Sequence, residues 1–137
     1  MNDRAEPKPA RIFVGLKISP DIAYRLAALA AELRETRVRL VAAADIHLTL
    51  VPPWQEVSID QAIGRLRQAA RTLTPFSLTL QHIGYGPQPR RPNLLWIDCA
   101  STDEIAALHR ALMQAFARES SRPFRPHVTL ARIRPGD

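Results

Sequence analysis

Two short stretches carry the residues of this chain that could do chemistry together. They read His47-Leu48-Thr49-Leu50 and His127-Val128-Thr129-Leu130, and each alternates a polar residue with an aliphatic one. Successive side chains of a β-strand point to opposite faces, so each His would share one face with its Thr while the aliphatic residues are buried. At about 3.3 Å per residue, His and Thr of one strand lie ~6.5–7 Å apart, which suits two groups that hold one small anion. Two such strands side by side would place two imidazoles and two hydroxyls around one pocket.

A single His-x-Thr on a strand has an ordinary explanation. Thr is a good strand residue, and His is often a structural side chain whose nitrogens are satisfied by neighbours. The repeat favours a shared functional site, since two of the four histidines fall in the same small pattern. We interpret the other two, His82 and His109, as ordinary residues, the first at a strand end and the second on the polar side of a helix.

The composition predicts one globular domain without a membrane segment. The chain has 137 residues, of which 46% are hydrophobic and 23% charged, and these values suit one core. It contains no apolar run of membrane-spanning length, and its first residues do not resemble a signal peptide, so we expect a cytoplasmic protein with no membrane partner. A single cysteine, Cys99, and no zinc-like spacing of Cys and His predict neither a disulfide nor a metal site. We also expect no cofactor and no obligate protein partner.

The net charge points to the kind of ligand. The formal charge is +6, carried mostly by arginine. Such a balance favours a polyanionic partner, either nucleic acid or a phosphorylated small molecule. Arginines scattered over solvated faces would give the same charge, so the charge alone does not choose between these explanations.

The region before His47 predicts a strand followed by a helix. Residues 1–10 are charged and lack apolar periodicity, and we interpret them as a flexible leader to a single domain over residues 11–137. Residues 12–18 are nearly continuously apolar, which predicts a central strand buried on both faces. Ser19-Pro20-Asp21 is a helix start, and the helix is predicted to end near Thr36. Its predicted apolar stripe consists of Ile22, Leu26, Leu29 and Leu33.

The middle of the chain alternates turn signals with apolar periodicity. Pro52-Pro53 is predicted to end the His47 strand, because proline cannot donate to a strand ladder. Ser58 begins a capping box that starts a second helix, and residues 76–80 alternate as a half-buried strand. Residues 84–93 are rich in Gly and Pro and predict a loop, in which Arg90 and Arg91 form either a lip for an anionic ligand or a solvated connection. The apolar stripe of the second helix is Ile63, Leu66, Ala70 and Leu73.

The second motif has the same context as the first. Residues 94–99 predict an apolar strand, and residues 102–118 predict an amphipathic helix. The core face of this helix consists of Ile105, Leu108, Leu112 and Phe116. The order strand, helix, His-x-Thr strand therefore occurs twice, and two similar halves facing each other would bring the motif strands together in a central cleft.

These stretches resemble the 2H phosphoesterase superfamily, in particular its RNA 2′,3′-cyclic phosphodiesterase branch, which is also called 2′-5′ RNA ligase-like. The resemblance is carried by residues 11–16, 47–50, 75–78, 91–96 and, most specifically, Arg-Pro-Phe-Arg-Pro-His-Val-Thr-Leu-Ala-Arg at 122–132. It implies an α+β, bilobal fold, in which duplicated strand-helix-strand halves place antiparallel sheets around a central cleft. The implied substrate is an RNA or a nucleotide with a 2′,3′-cyclic phosphate end.

Two histidines suffice for the chemistry of such a substrate. Opening a cyclic phosphate needs a base for the attacking water and an acid for the departing ribose oxygen, and neither role requires a metal. The hydroxyls of Thr49 and Thr129 can bind the non-bridging oxygens. From the residues alone the two histidines form a symmetric pair. The resemblance implies that His47 is the proton donor to the 3′ oxygen and His127 the proton acceptor that activates water, which leaves a 2′-phosphate.

Arg125 and Arg132 flank the second motif and are candidates for binding phosphate. Strict alternation along the strand would turn Arg132 away from the pocket. Two alternative functions stay open at this point. One is 2′-5′ RNA end-joining, in which a 5′-hydroxyl replaces water at the same site. The other is a non-catalytic RNA- or nucleotide-binding module, against which the two complete motifs argue, since binding alone does not need two titratable groups.

Overall fold

The fold is a mixed α+β arrangement of three helices against antiparallel strands, as predicted. The structure is a computed structural model, and it describes residues 8–33, 38–88 and 90–134. Most of the predicted leader, residues 1–7, lies outside the described residues, and the first strand begins at Ala10. In chain order the elements are β1 (Ala10–Lys17), α1 (Pro20–Leu33), β2 (Val38–Leu40), β3 (His47–Glu56), α2 (Ile59–Ala70), β4 (Leu80–Gly86), β5 (Leu94–Cys99), α3 (Asp103–Ala115) and β6 (His127–Ile133). No helix among the described residues is long and apolar enough to cross a membrane.

The described strands form one six-stranded sheet in which the two motif strands are neighbours. The order is β1-β3-β6-β5-β4, and β2 pairs with the second half of β6. β3 and β6 meet at Leu48 and Val128. The pairs β1-β3 and β6-β5 therefore lie symmetrically on either side of this contact. It joins the antiparallel strands of the two predicted halves into a continuous sheet.

The core lies behind the motif strands, on the face opposite to their His and Thr side chains. Helix α3 packs on β3 and helix α1 packs on β6, so each helix covers the motif strand of the other half. The predicted core face of α3 is buried along its whole length. The aliphatic residues of both motifs are at most 2% exposed: Leu48, Leu50, Val128 and Leu130. This packing fixes the two strands from one side and leaves the other side for the polar residues.

The predicted apolar stripes of α1 and α2 are only partly buried. In α1, Leu26 is buried together with Ala23 and Ala30, because small residues let the helix backbone approach the sheet. The large stripe residues that stay 37–46% exposed are Ile22, Leu29 and Leu33 of the first helix, Ile63 and Leu66 of the second, and Leu73, which lies beyond the end of α2.

Two strand predictions near the first motif are wrong. β1 is an edge strand, and Val14 is its one buried residue, so it is not a central strand. β3 does not end at Pro52-Pro53 but continues to Glu56. A register shift between Ile12 and Val14 of β1 accommodates the extra residue of β3, and such a bulge is a place where prolines are tolerated.

The hairpin β4-β5 also differs from the prediction. The strand predicted over residues 76–80 begins only at Leu80, and it extends to Gly86, into the segment predicted as a loop. A side-chain carbon at Gly86 would collide with the indole ring of Trp96. Glycine is required here because the indole ring lies so close to the backbone. From the sequence pattern alone, the same glycine indicates a turn.

Candidate active site

The contact between Leu48 and Val128 sets the geometry of the site. In this antiparallel register His47 lies opposite Thr129, and Thr49 lies opposite His127. Opposite residues of such a pair have Cβ atoms about 4.5–5.5 Å apart, and diagonal neighbours are about 7–8 Å apart. The register therefore puts both histidines and both threonines on one face of the sheet. Thr49 and His127 line one cavity, and His47 lines a second one. All four side chains are partly exposed.

The same backbone contact orients each imidazole. Nδ1 of His47 lies 2.7 Å from the carbonyl oxygen of Asp45, and Nδ1 of His127 lies 2.7 Å from that of Arg125. A carbonyl oxygen only accepts, so each Nδ1 carries a proton and donates it to the residue two positions earlier. Nε2 is therefore the nitrogen that each ring offers to a ligand, and it is the one that gains or loses a proton.

An aromatic ring from the neighbouring strand packs against each imidazole. The ring of Phe13 in β1 is centred 4.8 Å from that of His47, and the ring of Trp96 in β5 is centred 4.4 Å from that of His127. Sequence reasoning missed both aromatic residues, because it interpreted their strands only as parts of the core. The duplicated order of elements was the available signal, since each aromatic lies on the strand that precedes a motif helix.

The two histidines differ in their electrostatic surroundings. Burial lowers the pKa of His127, the hydrogen bond to the Arg125 carbonyl partly offsets this, and the charges of Arg125 and His47 lower the pKa further. The net shift is downward from the ordinary value. Neutral His127, with a lone pair on Nε2, is therefore the favoured form near pH 7.

Arg125 lies beside the second motif. Its guanidinium carbon is 5.1 Å from the centre of the Trp96 ring, a cation–π contact. Both residues line a cavity of about 300 Å³, together with Thr49 and His127. The structure therefore places Arg125 where it can contribute positive charge to an anion held by the motifs.

Arg132 lies on the same face of the sheet, against the expectation from strict alternation. β5 and β6 shift register between Leu95 and Trp96, so that Trp96 pairs with Thr129 while Leu94 pairs with Arg132. Trp96 packs against His127, and Leu94 shares the face of Trp96 on β5, so this face is the site face. The bulge thus turns Arg132 back toward the site, where it lies opposite Arg39 of β2.

His109 is the largest difference from the sequence interpretation. It does not lie on the polar side of its helix: its Nδ1 donates to the carbonyl oxygen of Leu50 at 2.8 Å, and its ring stacks on Phe124 at 3.9 Å with an angle of 4°. It also lines the 300 Å³ cavity. His82, in contrast, is exposed and lies 3.5 Å from the carboxylate of Asp98. The part of the chain that the structure describes brings together no group of three His, Cys, Asp or Glu residues suited to a metal ion.

A family model described as the 2′-5′ RNA ligase superfamily matches residues 18–135 of the chain. The chain is 30% identical over 94 residues to the RNA 2′,3′-cyclic phosphodiesterase of Bacillus subtilis (strain 168), which covers 64% of this chain and 51% of that protein. It is 25% identical over 105 residues to the RNA 2′,3′-cyclic phosphodiesterase of Methanothermobacter thermautotrophicus, which covers 73% of this chain and 57% of that protein. The chain thus spans a little more than half the length of these relatives.

Solved structures of Escherichia coli LigT have a similar fold. The apo form superimposes with a TM-score of 0.75 and 28% identity, over 95% of this chain and 76% of LigT. The complex of LigT with 3′-AMP superimposes with a TM-score of 0.73 and 26% identity, over 91% of this chain and 73% of LigT.

Proposed function

Because this chain belongs to the 2′-5′ RNA ligase superfamily, we propose that it hydrolyses the 2′,3′-cyclic phosphate end of an RNA or a nucleotide to a 2′-phosphate, without a metal. One observation carries the proposal: two imidazoles, each with Nδ1 bonded to the carbonyl two residues earlier, share a face with two threonines. The names of the phosphodiesterase relatives and the 3′-AMP complex of LigT support the same class of substrate.

In this reaction the two histidines take opposite roles. Nε2 of neutral His127 accepts a proton from water, whose oxygen then forms a bond to phosphorus. The bond between phosphorus and O3′ breaks, and protonated His47 gives the proton on its Nε2 to O3′. The product keeps phosphate on O2′, and exchange with solvent returns both histidines to their starting forms. The lowered pKa of His127 supports its assignment as the base.

The threonines and arginines stabilise charge on the phosphate. Each threonine lies opposite the histidine of the other motif, so the hydroxyls of Thr49 and Thr129 can bind different non-bridging oxygens. Arg125 beside the cavity and Arg132 on the site face add positive charge. Donors that are held in place before the reaction stabilise charge without reorganisation, which is the main requirement of phosphoryl transfer.

Phosphorus NMR tests this proposal. Adenosine 2′,3′-cyclic phosphate is incubated with the wild type, with His47→Ala and with His127→Ala, in buffer that contains EDTA. We expect the wild type alone to convert the substrate, to the 2′-phosphate and not the 3′-phosphate. Loss of wild-type turnover in EDTA contradicts the metal-free mechanism. If the folded wild type binds the compound without converting it, the chain is a binding module.

A further inference from the structure

An open groove beside the site has no role in the reaction proposed above. It has a volume of about 690 Å³ and lies along the second half of α3 and the chain that follows it; we call it the α3 groove. Its basic lining residues are His109, Arg110, Arg118 and Arg122, and its carboxylate is Glu119. The groove therefore presents an excess of positive charge to any ligand within it.

The α3 groove is continuous with the site. His109, Ser120 and Arg122 line both the groove and the 300 Å³ cavity that holds His127 and Thr49. A ligand that extends out of the cavity past these shared residues enters the groove.

The three arginines of the groove are exposed, and the fold holds Arg118 in place. Ala117 has a φ of 51°, which ends α3 and reverses the chain, and the backbone N–H of Arg118 donates to the Met113 carbonyl at 2.8 Å. The guanidinium carbon of Arg118 then lies 5.9 Å from the centre of the Trp54 ring. Within the described ranges, neither Arg110, Arg118 nor Arg122 forms an ion pair with a carboxylate.

We propose that the α3 groove binds the phosphodiester backbone of a single-stranded RNA whose cyclic phosphate end occupies the site. This inference rests on the proposed function. It narrows the substrate from an RNA or a nucleotide to an RNA strand, and it adds the surface that holds that strand. The ribose that carries the cyclic phosphate is joined to the preceding nucleotides through O5′. The RNA strand can therefore leave the cavity along α3 while O3′ of its terminal ribose stays beside His47.

The chemistry of the groove suits the backbone and not the bases. Arginine side chains bind phosphate oxygens without reading sequence, and a basic groove that tracks the backbone is the usual means of holding single strands. The groove should therefore favour longer RNA over a mononucleotide, with little preference for sequence.

The test compares two substrates that share a terminal nucleotide, adenosine 2′,3′-cyclic phosphate and an oligoadenylate octamer with the same cyclic end. The test variant is Arg110→Gln/Arg118→Gln. Its matched control is Arg65→Gln/Arg67→Gln, which removes the same charge from the exposed surface of α2.

We expect the groove variant to lower kcat/KM for the octamer on the order of tenfold, through KM, because two screened phosphate contacts are lost. Hydrolysis of the mononucleotide should stay unchanged, and the control should leave both substrates unchanged. The slope of log(kcat/KM) against log salt for the octamer should become shallower by about 1.4, or roughly 0.7 for each contact.

Binding measurements separate failure of this inference from failure of the proposed function. Anisotropy of a fluorescent octamer that ends in a 2′-phosphate gives Kd without turnover, so it tests the groove even in a chain that hydrolyses neither substrate. An equal Kd for the wild type and the groove variant overturns the inference. Equal weakening by the groove and control variants also overturns it, since the effect then belongs to net charge.

Discussion

Around His47, the packed ring of Phe13 is 45% exposed and borders an open cavity of about 560 Å³, whereas around His127 the ring of Trp96 is 9% exposed. Both histidines lie on equivalent strands and make the same Nδ1 contact. The sequence repeat therefore gives the two histidines equivalent positions and backbone contacts. The aromatic residues of the neighbouring strands make their surroundings unequal. Burial is what lowers the pKa of His127 and suits it to accept a proton.

The backbone carbonyls one residue beyond each motif threonine also occupy equivalent positions and have different surroundings. The carbonyl of Leu130 accepts from the backbone N–H of Val41 at 2.9 Å, whereas that of Leu50 accepts from the His109 side chain at 2.8 Å. Equivalent backbone groups are thus satisfied by unrelated donors. What the two halves share is the geometry of the motif strands, and what differs is contributed by the elements packed around them.

The largest expected effect is the loss of activity when either motif histidine is removed. His47→Ala and His127→Ala should each lower kcat by about 10²–10⁴-fold, because each removes one partner of proton transfer. The double variant should be little worse than either single one, since the two act as a unit. Quenched-flow or NMR rates measure this. If the fold decrease in kcat of the double variant equals the product of the two single decreases, the histidines contribute independently. That result would contradict a concerted pair.

The aromatic neighbours sharpen the comparison through stability. Trp96→Ala should lower the free energy of unfolding by about 3–5 kcal/mol, because it empties a buried site against His127. Phe13→Ala should cost less than about 1 kcal/mol, since Phe13 is already 45% exposed and loses less buried surface. Urea denaturation measures both free energies of unfolding. Equal decreases would mean that the two aromatic rings pack equally well around their histidines.

The threonines test whether the two halves contribute alike to charge stabilisation. Thr49→Val and Thr129→Val should each lower kcat about 10²-fold, because each removes one hydroxyl donor while keeping the size of the side chain. Thr74→Val, at an exposed position outside the site, serves as the control. A normal kcat in either motif variant would remove that hydroxyl from the mechanism.

The smallest expected effect is on the pH dependence of the free energy of unfolding. The pKa of His127 is lower in the folded chain than its ordinary value, so the unfolded chain binds more protons between these two values. The free energy of unfolding should therefore decrease as the pH falls from about 6.5 toward the folded pKa. His127→Gln should remove this part of the pH dependence. A wild type that gains stability over this range would reverse the sign of the argument.

Local patterns predicted the parts of the fold that depend on local physics. Alternation in the two motifs placed four polar residues on one face, and the helical period of α3 identified a buried face that the structure shows in full. Both succeed because each element buries one side whatever its partners are.

Features that depend on strand pairing could not be read in this way. The bulge between Leu95 and Trp96, which returns Arg132 to the site face, requires knowledge of the partner strand. The roles of Phe13 and His109 depend equally on contacts with residues distant in sequence. Periodicity describes one element at a time, so it assigned these residues to the core or to the surface.

The most direct test of the central claim is a nitrogen-15 NMR titration of the histidine rings in the wild-type protein. We predict that Nδ1 of His127 stays protonated throughout while Nε2 titrates, with a pKa below the ordinary value of about 6.5. That result means that the second motif supplies a neutral base at neutral pH. A His127 ring protonated on Nε2 in its neutral form, or with a pKa at or above the ordinary value, would contradict the division of roles between the two halves.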